Sequence, residues 1–500
     1  EDKHVWVDDG EAHSLIIGTT GSGKTSRLVN PLIKILAKKG ESMILTDPKG
    51  ELYEENASLL TEKGYKIILL NMRDPHKGNA WNPLMLPYKL YKEGSDKSNE
   101  LLNDLARNLL YDEKGASDDP FWESTAADYF TGLALGLFED AKEEEINLNS
   151  VSLMSTVGEE KYGGSNYILE YFKDKDPSKP VYINASSTIN APETTKGGIL
   201  SVFRQKIKLF ALTEHLSEML SYSDFDMQDI GKEKTAVFMI IQDEKKTYHA
   251  LATIFVKQCY ETLIDVAQNH GGKLPIRTNF ILDEFANMPP LRDVTTMITA
   301  ARSRQIRFNL IIQNFAQLNQ VYGKENAETI KGNCSNTVYL LGKELQSLEE
   351  ISKLCGEKKY IDKDKKETSK PLITVSELQR LKMGDCIIIK DRVFPFKAKL
   401  FGHWDYKFNE APSVKPTYPE RVTKPIALFD LRSFVKEKRK DSYMNAFSGA
   451  GKPPSGVPGG MPNMFGGDDS LNVDDLIKKI DAKIAQLEEE EKMESGEEPK

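Results

Sequence analysis

The sequence predicts an α/β protein built on a mostly parallel sheet, carrying an inserted all-α domain and a flexible C-terminal tail. Three observations predict it. A strand, glycine-rich loop and helix follow one another near the start; short apolar strands then alternate with amphipathic helices; and between about residues 91 and 190 the strand signal vanishes.

The first element is the apolar run Ser14–Ile17, which ends in Gly18, Thr19, Thr20, Gly21, Ser22, Gly23, Lys24, Thr25 and Ser26. Leu28, Val29, Leu32, Ile35 and Leu36 then follow at helical spacing. This is the G-x-x-x-x-G-K-T pattern in the strand–loop–helix setting that makes it a phosphate site. Gly18, Gly21 and Gly23 let the backbone bring its N–H groups onto phosphate oxygens. Lys24 adds a point charge near the β- and γ-phosphates, and the Thr25 hydroxyl is a Mg²⁺ ligand candidate. Residues 18–26 are therefore the expected nucleotide site.

The second strand, Ser42–Thr46, leads into Asp47, Pro48, Lys49 and Gly50, and Glu51 opens a helix. Asp47 and Lys49 fall at a strand's carboxyl end, where a capped turn and a place near the nucleotide are both open readings. A third strand, Tyr65–Leu70, runs toward Trp81, Asn82, Pro83 and Leu84. From there to Asn190 leucines and aromatics repeat at helical spacing, including Leu101, Leu105, Phe130 and Leu137. The aromatics of this stretch, Phe121 and Trp122 among them, are read as core rather than as base-stacking groups.

The α/β rhythm resumes after Pro192: Thr194–Gly198 precedes a long amphipathic helix through Leu216, followed by strand Thr235–Ile241 and a helix over 248–267. Strand Asn279–Leu282 ends in Asp283 and Glu284. Adjacent carboxylates at the end of a buried strand are costly without a partner. A Mg²⁺–nucleotide complex supplies one: Asp283 would hold the metal through its water shell, and Glu284 would orient and deprotonate the attacking water. A helix over 291–304 and strand Phe308–Ile312 follow, and Gln313 at that strand's end is placed to sense the γ-phosphate or the water. Arg302, Arg304 and Arg307 have three readings: a solvated helix end, a nucleic-acid contact, or an arginine finger. Strands at 336–341 and 386–390 complete the sheet, with the lysine-rich 357–370 between them read as a solvated loop.

Bulk properties set outer limits. No apolar run reaches the roughly 18–20 residues of a membrane helix, and the chain opens on Glu1 without a signal peptide pattern. Cys259, Cys334, Cys355 and Cys386 are dispersed and the seven histidines lack ligand spacing, which argues against structural zinc and fits a reducing compartment. Of the net charge of −9, −7 lies in residues 468–500, so the rest of the chain is nearly balanced and a DNA-binding channel is not excluded. The expected divisions are 1–90 and 191–425 for the two parts of a nucleotide-binding domain and 91–190 for the insertion. Beyond these, 426–467 is expected to hold a basic segment (Arg432–Lys440) and a Gly/Pro-rich linker, and 468–500 an acidic amphipathic helix.

The ordered set of motifs resembles the TraG/TraD class of type IV secretion coupling proteins, the conjugative DNA-transfer ATPases. It comprises the loop at 18–25, T-D-P-K-G-E-L-Y at Thr46–Tyr53, W-N-P-L at Trp81–Leu84, L-D-E-F-A at Leu282–Ala286, A-R-S-R-Q-I-R-F at Ala301–Phe308, and Gln313–Leu318. The resemblance covers roughly Trp6 to Pro425. It implies a RecA-like, ATP- and Mg²⁺-dependent motor whose activity DNA stimulates, assembling as a homohexamer with ATP between subunits. Arg302 matches the family arginine that reaches the neighbouring γ-phosphate. The implied partners are relaxase-linked single-stranded DNA, the relaxase and accessory relaxosome proteins, and secretion-channel proteins, at the cytoplasmic face of the membrane. Membrane-spanning helices of the family would precede the point where this chain begins. Two other functions compete: a duplex-DNA translocase of the FtsK type, and a cargo receptor that uses nucleotide only as an assembly switch.

Overall fold

The computed structural model describes residues 7–111, 120–211, 213–241, 246–361, 367–406 and 414–448. The predicted linker and acidic helix beyond residue 448 lie outside the described residues. Among the described residues, no helix is long and apolar enough to cross a membrane. The chain divides into two compact units, one from residues 1–120 and 209–426, the other from 121–208 and 427–500.

The first unit is organised on nine strands: β1 (Ser14–Gly18), β2 (Ser42–Asp47), β3 (Lys66–Asn71), β4 (Thr235–Ile240), β5 (Thr278–Leu282), β6 (Ile306–Ile312), β7 (Asn336–Leu341), β8 (Asp385–Lys390) and β9 (Val393–Lys399). They form one sheet in the order β9-β8-β7-β1-β6-β5-β2-β4-β3. Seven strands are parallel, and the two last in sequence add antiparallel at one edge. Every residue of β2, β4, β5 and β6 is buried, which explains why their apolar residues run together instead of alternating. A strand covered on both faces has no polar side to alternate with. The mostly parallel α/β sheet expected from the sequence is thus the observed one.

Helices α1 (Asn30–Lys39) and α2 (Glu51–Glu62) connect β1 to β2 and β2 to β3. Val29, Ile33 and Leu36 pack with Leu52, Leu60 and the inward residues Ile16, Met43, Leu45 and Phe238 of the sheet. Each such side chain removed to alanine costs about 2–5 kcal/mol in a close-packed core.

Helices α3 (Met85–Lys92) and α4 (Lys97–Leu110) also belong to this unit, because they have a partner in α10 (Lys246–Asn269). Gln258 Nε2 donates to Pro83 O at 2.7 Å, and Lys97 Nζ meets Asp265 Oδ1 at 2.9 Å. The boundary near residue 91 expected from the sequence therefore differs from the contact-defined one at residue 120. Helices α11 (Val294–Ala301), α12 (Phe315–Tyr322), α13 (Lys324–Asn333) and α14 (Leu345–Leu354) also belong to this unit.

Three local expectations need correction. The lysine-rich stretch is not a loop: 357–361 and 367–371 pair as an exposed antiparallel hairpin. Strand 393–399 was not anticipated, since its residues are mostly exposed and Pro395 interrupts the strand signal. The helix expected to run to Leu216 ends at Ala211.

The second unit is helical. Its elements are α5 (Phe121–Asp140), α6 (Leu148–Val157), α7 (Tyr167–Phe172), α8 (Pro180–Ile189), the first part of α9 (Glu193–Ala211), and α15 (Leu431–Ser448). Helices α5 and α8 approach closely at Gly132, where a Cβ would lie 2.7 Å from the Ala185 backbone nitrogen. Tyr129, Phe130 and Phe203 fill the core, but Phe121 and Trp122 are 46% and 37% exposed, contrary to their reading as core. The basic segment expected from Arg432 to Lys440 lies within α15, and Arg432, Lys438 and Arg439 have acidic partners. Arg432 Nε meets Glu160 Oε2 at 2.6 Å, and Arg439 pairs with Glu170. Phe429 and Phe434 pack on Tyr171 beside them.

Candidate functional site

Because β1, β2, β5 and β6 are parallel neighbours, their carboxyl ends share one edge of the sheet. Gly18 ends β1, Asp47 ends β2, Asp283 and Glu284 follow β5, and Gln313 follows β6. The sheet's order, rather than proximity in sequence, brings these residues together.

The glycine loop leaves β1 with Thr19 N donating to Leu341 O at 2.9 Å, which ties it to the end of β7. Gly21 and Gly23 hold φ of 79° and 89°, values that a side chain strains. Gly18 is required for space: a Cβ there would stand 2.4 Å from Ser22 Oγ. The chain then winds into a π-type turn over Lys24–Val29 that runs directly into α1. Its N-terminal end faces the loop, where a helix favours anions. Ser22 Oγ is buried with no hydrogen-bond partner. A buried hydroxyl left unsatisfied costs about 1–3 kcal/mol, and a phosphate oxygen is the group such a loop is shaped to bring to it.

Lys24 is buried and its ammonium makes two contacts: Gly18 O at 2.8 Å and Glu284 Oε1 at 3.3 Å. The other oxygen of Glu284 accepts from Gln313 Nε2 at 3.0 Å and from Asn287 Nδ2 at 3.3 Å. Glu284 itself sits at φ 53°, ψ 40°, a left-handed conformation that costs a non-glycine residue of order 1–3 kcal/mol. Its N–H is held by Asp283 Oδ1 at 2.9 Å. The strained turn aims the carboxylate back across the strand ends toward Lys24 and Gln313.

Asp283 is tied from behind by Thr46, whose hydroxyl donates to the Asp283 carbonyl at 2.9 Å. Burial pushes the Asp283 carboxyl up to about 6; the Lys24 charge pulls it down and the neighbouring Glu284 pushes it further up. A carboxylate held out of water beside a second one is poised to gain from an added cation.

Asp47 has a different task. Its Oδ1 accepts from Gly50 N and its Oδ2 from Tyr53 N, both at 2.9 Å, so it closes the turn into α2. Burial raises its carboxyl to about 6 against those hydrogen bonds. Of the two readings open for this residue, the capped turn is the one observed. Lys49 is exposed, and its carbonyl accepts from Arg73 at 2.9 Å.

The arginine cluster does not join the site within this chain. Arg302 is exposed and precedes β6, whereas Gln313 follows it. Seven strand residues at about 3.3 Å each put Arg302 roughly 20 Å or more away, at the opposite edge of the sheet. Arg304 donates to Ala300 O at 2.9 Å, closing its own helix end. Arg307 is buried and donates to Gly10 O at 2.5 Å. The three side chains thus have separate roles, and Arg302 alone is left in the open.

Asn287 carried no signal of its own, although its position three residues after Glu284 puts it one turn on. Thr46 entered only as the end of the second strand and the first residue of the T-D-P-K-G-E-L-Y motif, with no task assigned to its hydroxyl.

Residues 1–422 match the family model described as Type IV secretory system Conjugative DNA transfer. Protein VirD4 of Rhizobium rhizogenes is 22% identical over 356 residues, covering 70% of this chain and 50% of VirD4. Conjugal transfer protein TraG of Agrobacterium fabrum (strain C58 / ATCC 33970) is 23% identical over 325 residues, 64% of this chain and 46% of TraG. The chain thus spans about half the length of the curated relatives it matches. Among solved structures, the bacterial conjugative coupling protein TrwBΔN70 in its unbound monoclinic form superposes with a TM-score of 0.59 at 16% identity, over 84% of this chain and 88% of that one. TrwB in complex with the ATP analogue ADPNP gives 0.58 at 16% identity, with the same coverage. These likenesses identify the sheet and its helices as the RecA-like fold expected.

Proposed function

Because this chain belongs to the type IV secretory system conjugative DNA transfer family, we propose that it is the motor part of a coupling ATPase that drives or licenses the transfer of single-stranded DNA. The observation that carries the proposal is the convergence of Lys24, Glu284 and Gln313 at one sheet edge while Arg302 stands exposed at the other. Half of a hydrolytic site is present in one chain, and the other half is offered outward.

ATP would bind with its phosphates in the loop at residues 18–26, and TrwB, a neighbour of the same fold, is known in complex with ADPNP and with ADP and Mg²⁺. The orphaned Ser22 hydroxyl, the Lys24 ammonium and the half-buried Thr25 fit that ligand. Mg²⁺ would take the Thr25 hydroxyl and, through water, Asp283, with phosphate oxygens completing its shell. It supplies neutralisation of the charge that builds on the phosphates.

Lys24 then exchanges Glu284 and Gly18 O for the β- and γ-phosphates. That exchange frees one oxygen of Glu284 to accept a proton from the attacking water, while Gln313 keeps the other oxygen fixed and orients the water. Arg302 of an adjacent copy would supply the remaining positive charge, worth about 10³–10⁵ in rate for such fingers. A ring, as in the hexamer the family resemblance implies, brings the two sheet edges together.

The substrate would be DNA linked to a relaxase, delivered to a secretion channel at the cytoplasmic face of the membrane. The test is ATP hydrolysis with Mg²⁺, alone and with single-stranded or duplex DNA. Stimulation by single strands, lost in Glu284→Gln, is expected. Hydrolysis stimulated by duplex alone would favour a duplex translocase, and nucleotide binding without turnover would favour an assembly switch.

A further inference from the structure

The loop at residues 18–26 accounts for a nucleotide's phosphates and leaves its base without a seat. Ribose and α-phosphate separate the base from the loop, so the base falls beside the first turn of the helix that follows. Arg27 is on that turn and packs against the loop: a Cβ on Gly23 would stand 2.9 Å from Arg27 Cδ. Its guanidinium reaches the β8–β9 hairpin, where Nη1 donates to Leu400 O at 3.0 Å. Gly384 leaves room for it, since a Cβ there would lie 3.1 Å from Nη1. Beyond it, the Arg27 guanidinium carbon lies 6.0 Å from the ring centre of Trp404.

Trp404 is 64% exposed, yet its turn is firmly built. Gly402 N donates to Asp405 Oδ2 at 3.0 Å, and Phe401 N to Tyr406 Oη at 3.2 Å. His403 meets the indole edge-on at 5.0 Å and pairs through Nε2 with Glu55 Oε2 at 3.4 Å, anchoring the turn to α2. The indole folds back so closely that a Cβ on Gly402 would lie 2.3 Å from its Cε2. A large aromatic fixed in place yet left open to water, one guanidinium away from a phosphate loop, is a surface awaiting a flat partner.

We propose that Trp404, held beside Arg27, is the stacking platform for the purine base of the nucleotide bound at residues 18–26. The inference rests on the nucleotide reading of that loop and adds where, and by what force, the base is held. Stacking on indole and guanidinium planes accepts any base with a π face, so adenine and guanine nucleotides bind with similar strength.

The test measures calorimetric affinities for ADP and for inorganic tripolyphosphate, both with Mg²⁺, in wild type, Trp404→Ala, Trp404→Phe and Lys24→Ala. Trp404→Ala weakens ADP about 5- to 150-fold, the range for loss of one base–aromatic stack, and leaves tripolyphosphate unchanged. Trp404→Phe stays close to wild type for both, which separates stacking from damage to the turn. Lys24→Ala loses both probes. ADP affinity unchanged in Trp404→Ala overturns the platform, as does an equal loss of ADP and tripolyphosphate. A wild type that binds neither probe instead removes the nucleotide reading itself.

Discussion

Lys24 Nζ lies 3.3 Å from Glu284 Oε1, joining the glycine loop to the end of the fifth strand across 260 residues of chain. The same carboxylate takes Gln313 on its second oxygen at 3.0 Å. Glu284 is therefore held between a cation and a neutral donor, with its backbone in a left-handed turn. Ligand binding that draws the lysine away changes one half of that clamp and leaves the other.

Lys24→Ala and Glu284→Gln are expected to fail differently. The first removes the charge that meets the phosphates and loses nucleotide affinity in a binding titration. The second keeps affinity within a few-fold but lowers kcat by about 10²–10⁴, the usual contribution of a positioned general base. Equal loss of affinity in both would assign Glu284 to binding instead.

Gln313→Ala removes the shorter of the two hydrogen bonds on Glu284 Oε2 and leaves that from Asn287. A hydrogen bond to a charged group is worth about 1.5–3 kcal/mol, so kcat should fall by roughly 10- to 150-fold with KM little changed. Steady-state kinetics over a range of ATP concentrations separate the two parameters. A rise in KM at constant kcat would contradict the positioning role.

Asp47 should make stability fall as pH rises. Its folded carboxyl titrates near 6, above the ordinary 3.8, because burial disfavours the charged form more than Gly50 and Tyr53 N–H stabilise it. The stability this group contributes is full below about pH 4 and is lost as pH climbs through about 6. The shift corresponds to roughly 3 kcal/mol between those limits. Denaturation of wild type and Asp47→Asn from pH 4 to 7 should show the wild type losing ground to the variant. Parallel curves would show that the carboxyl is not held up.

Gly132→Ala is expected to destabilise the helical unit by about 1–3 kcal/mol, the cost of overpacking a close contact. The added methyl would meet the Ala185 backbone at 2.7 Å. Thermal unfolding of the variant should show a lower transition, whereas Gly197→Ala, with nothing within 4 Å of its Cβ, should not be lowered by a clash.

The strand–loop–helix at residues 14–39 was legible because its pattern is local: glycines, lysine and threonine stand at fixed spacing between one strand and one helix. Glu284 and Gln313 were legible as polar residues ending apolar runs, since a parallel sheet collects such ends at one edge. The division between units was not, because the partner of α4 is α10, which begins more than a hundred residues later. Hairpin 357–371 escaped notice because it is exposed and offers no apolar alternation. The basic stretch from Arg432 was legible as basic but its partners were not, because Glu160 and Glu170 lie far away in the chain. Trp404 had no motif around it, and only the folded position of Arg27 gives it meaning.

If Arg302 completes a site on a neighbouring copy, two inactive variants should restore one another when mixed. Arg302→Ala retains Lys24 and Glu284, whereas Glu284→Gln retains Arg302. ATPase rates are measured for each variant alone and for an equimolar mixture, with Mg²⁺ and single-stranded DNA. Each alone should be slower than wild type by about 10² or more, and the mixture should recover activity at interfaces that pair an intact Glu284 with an intact Arg302. Arg302→Ala hydrolysing ATP at the wild-type rate, or a mixture no faster than its two components, would contradict the account.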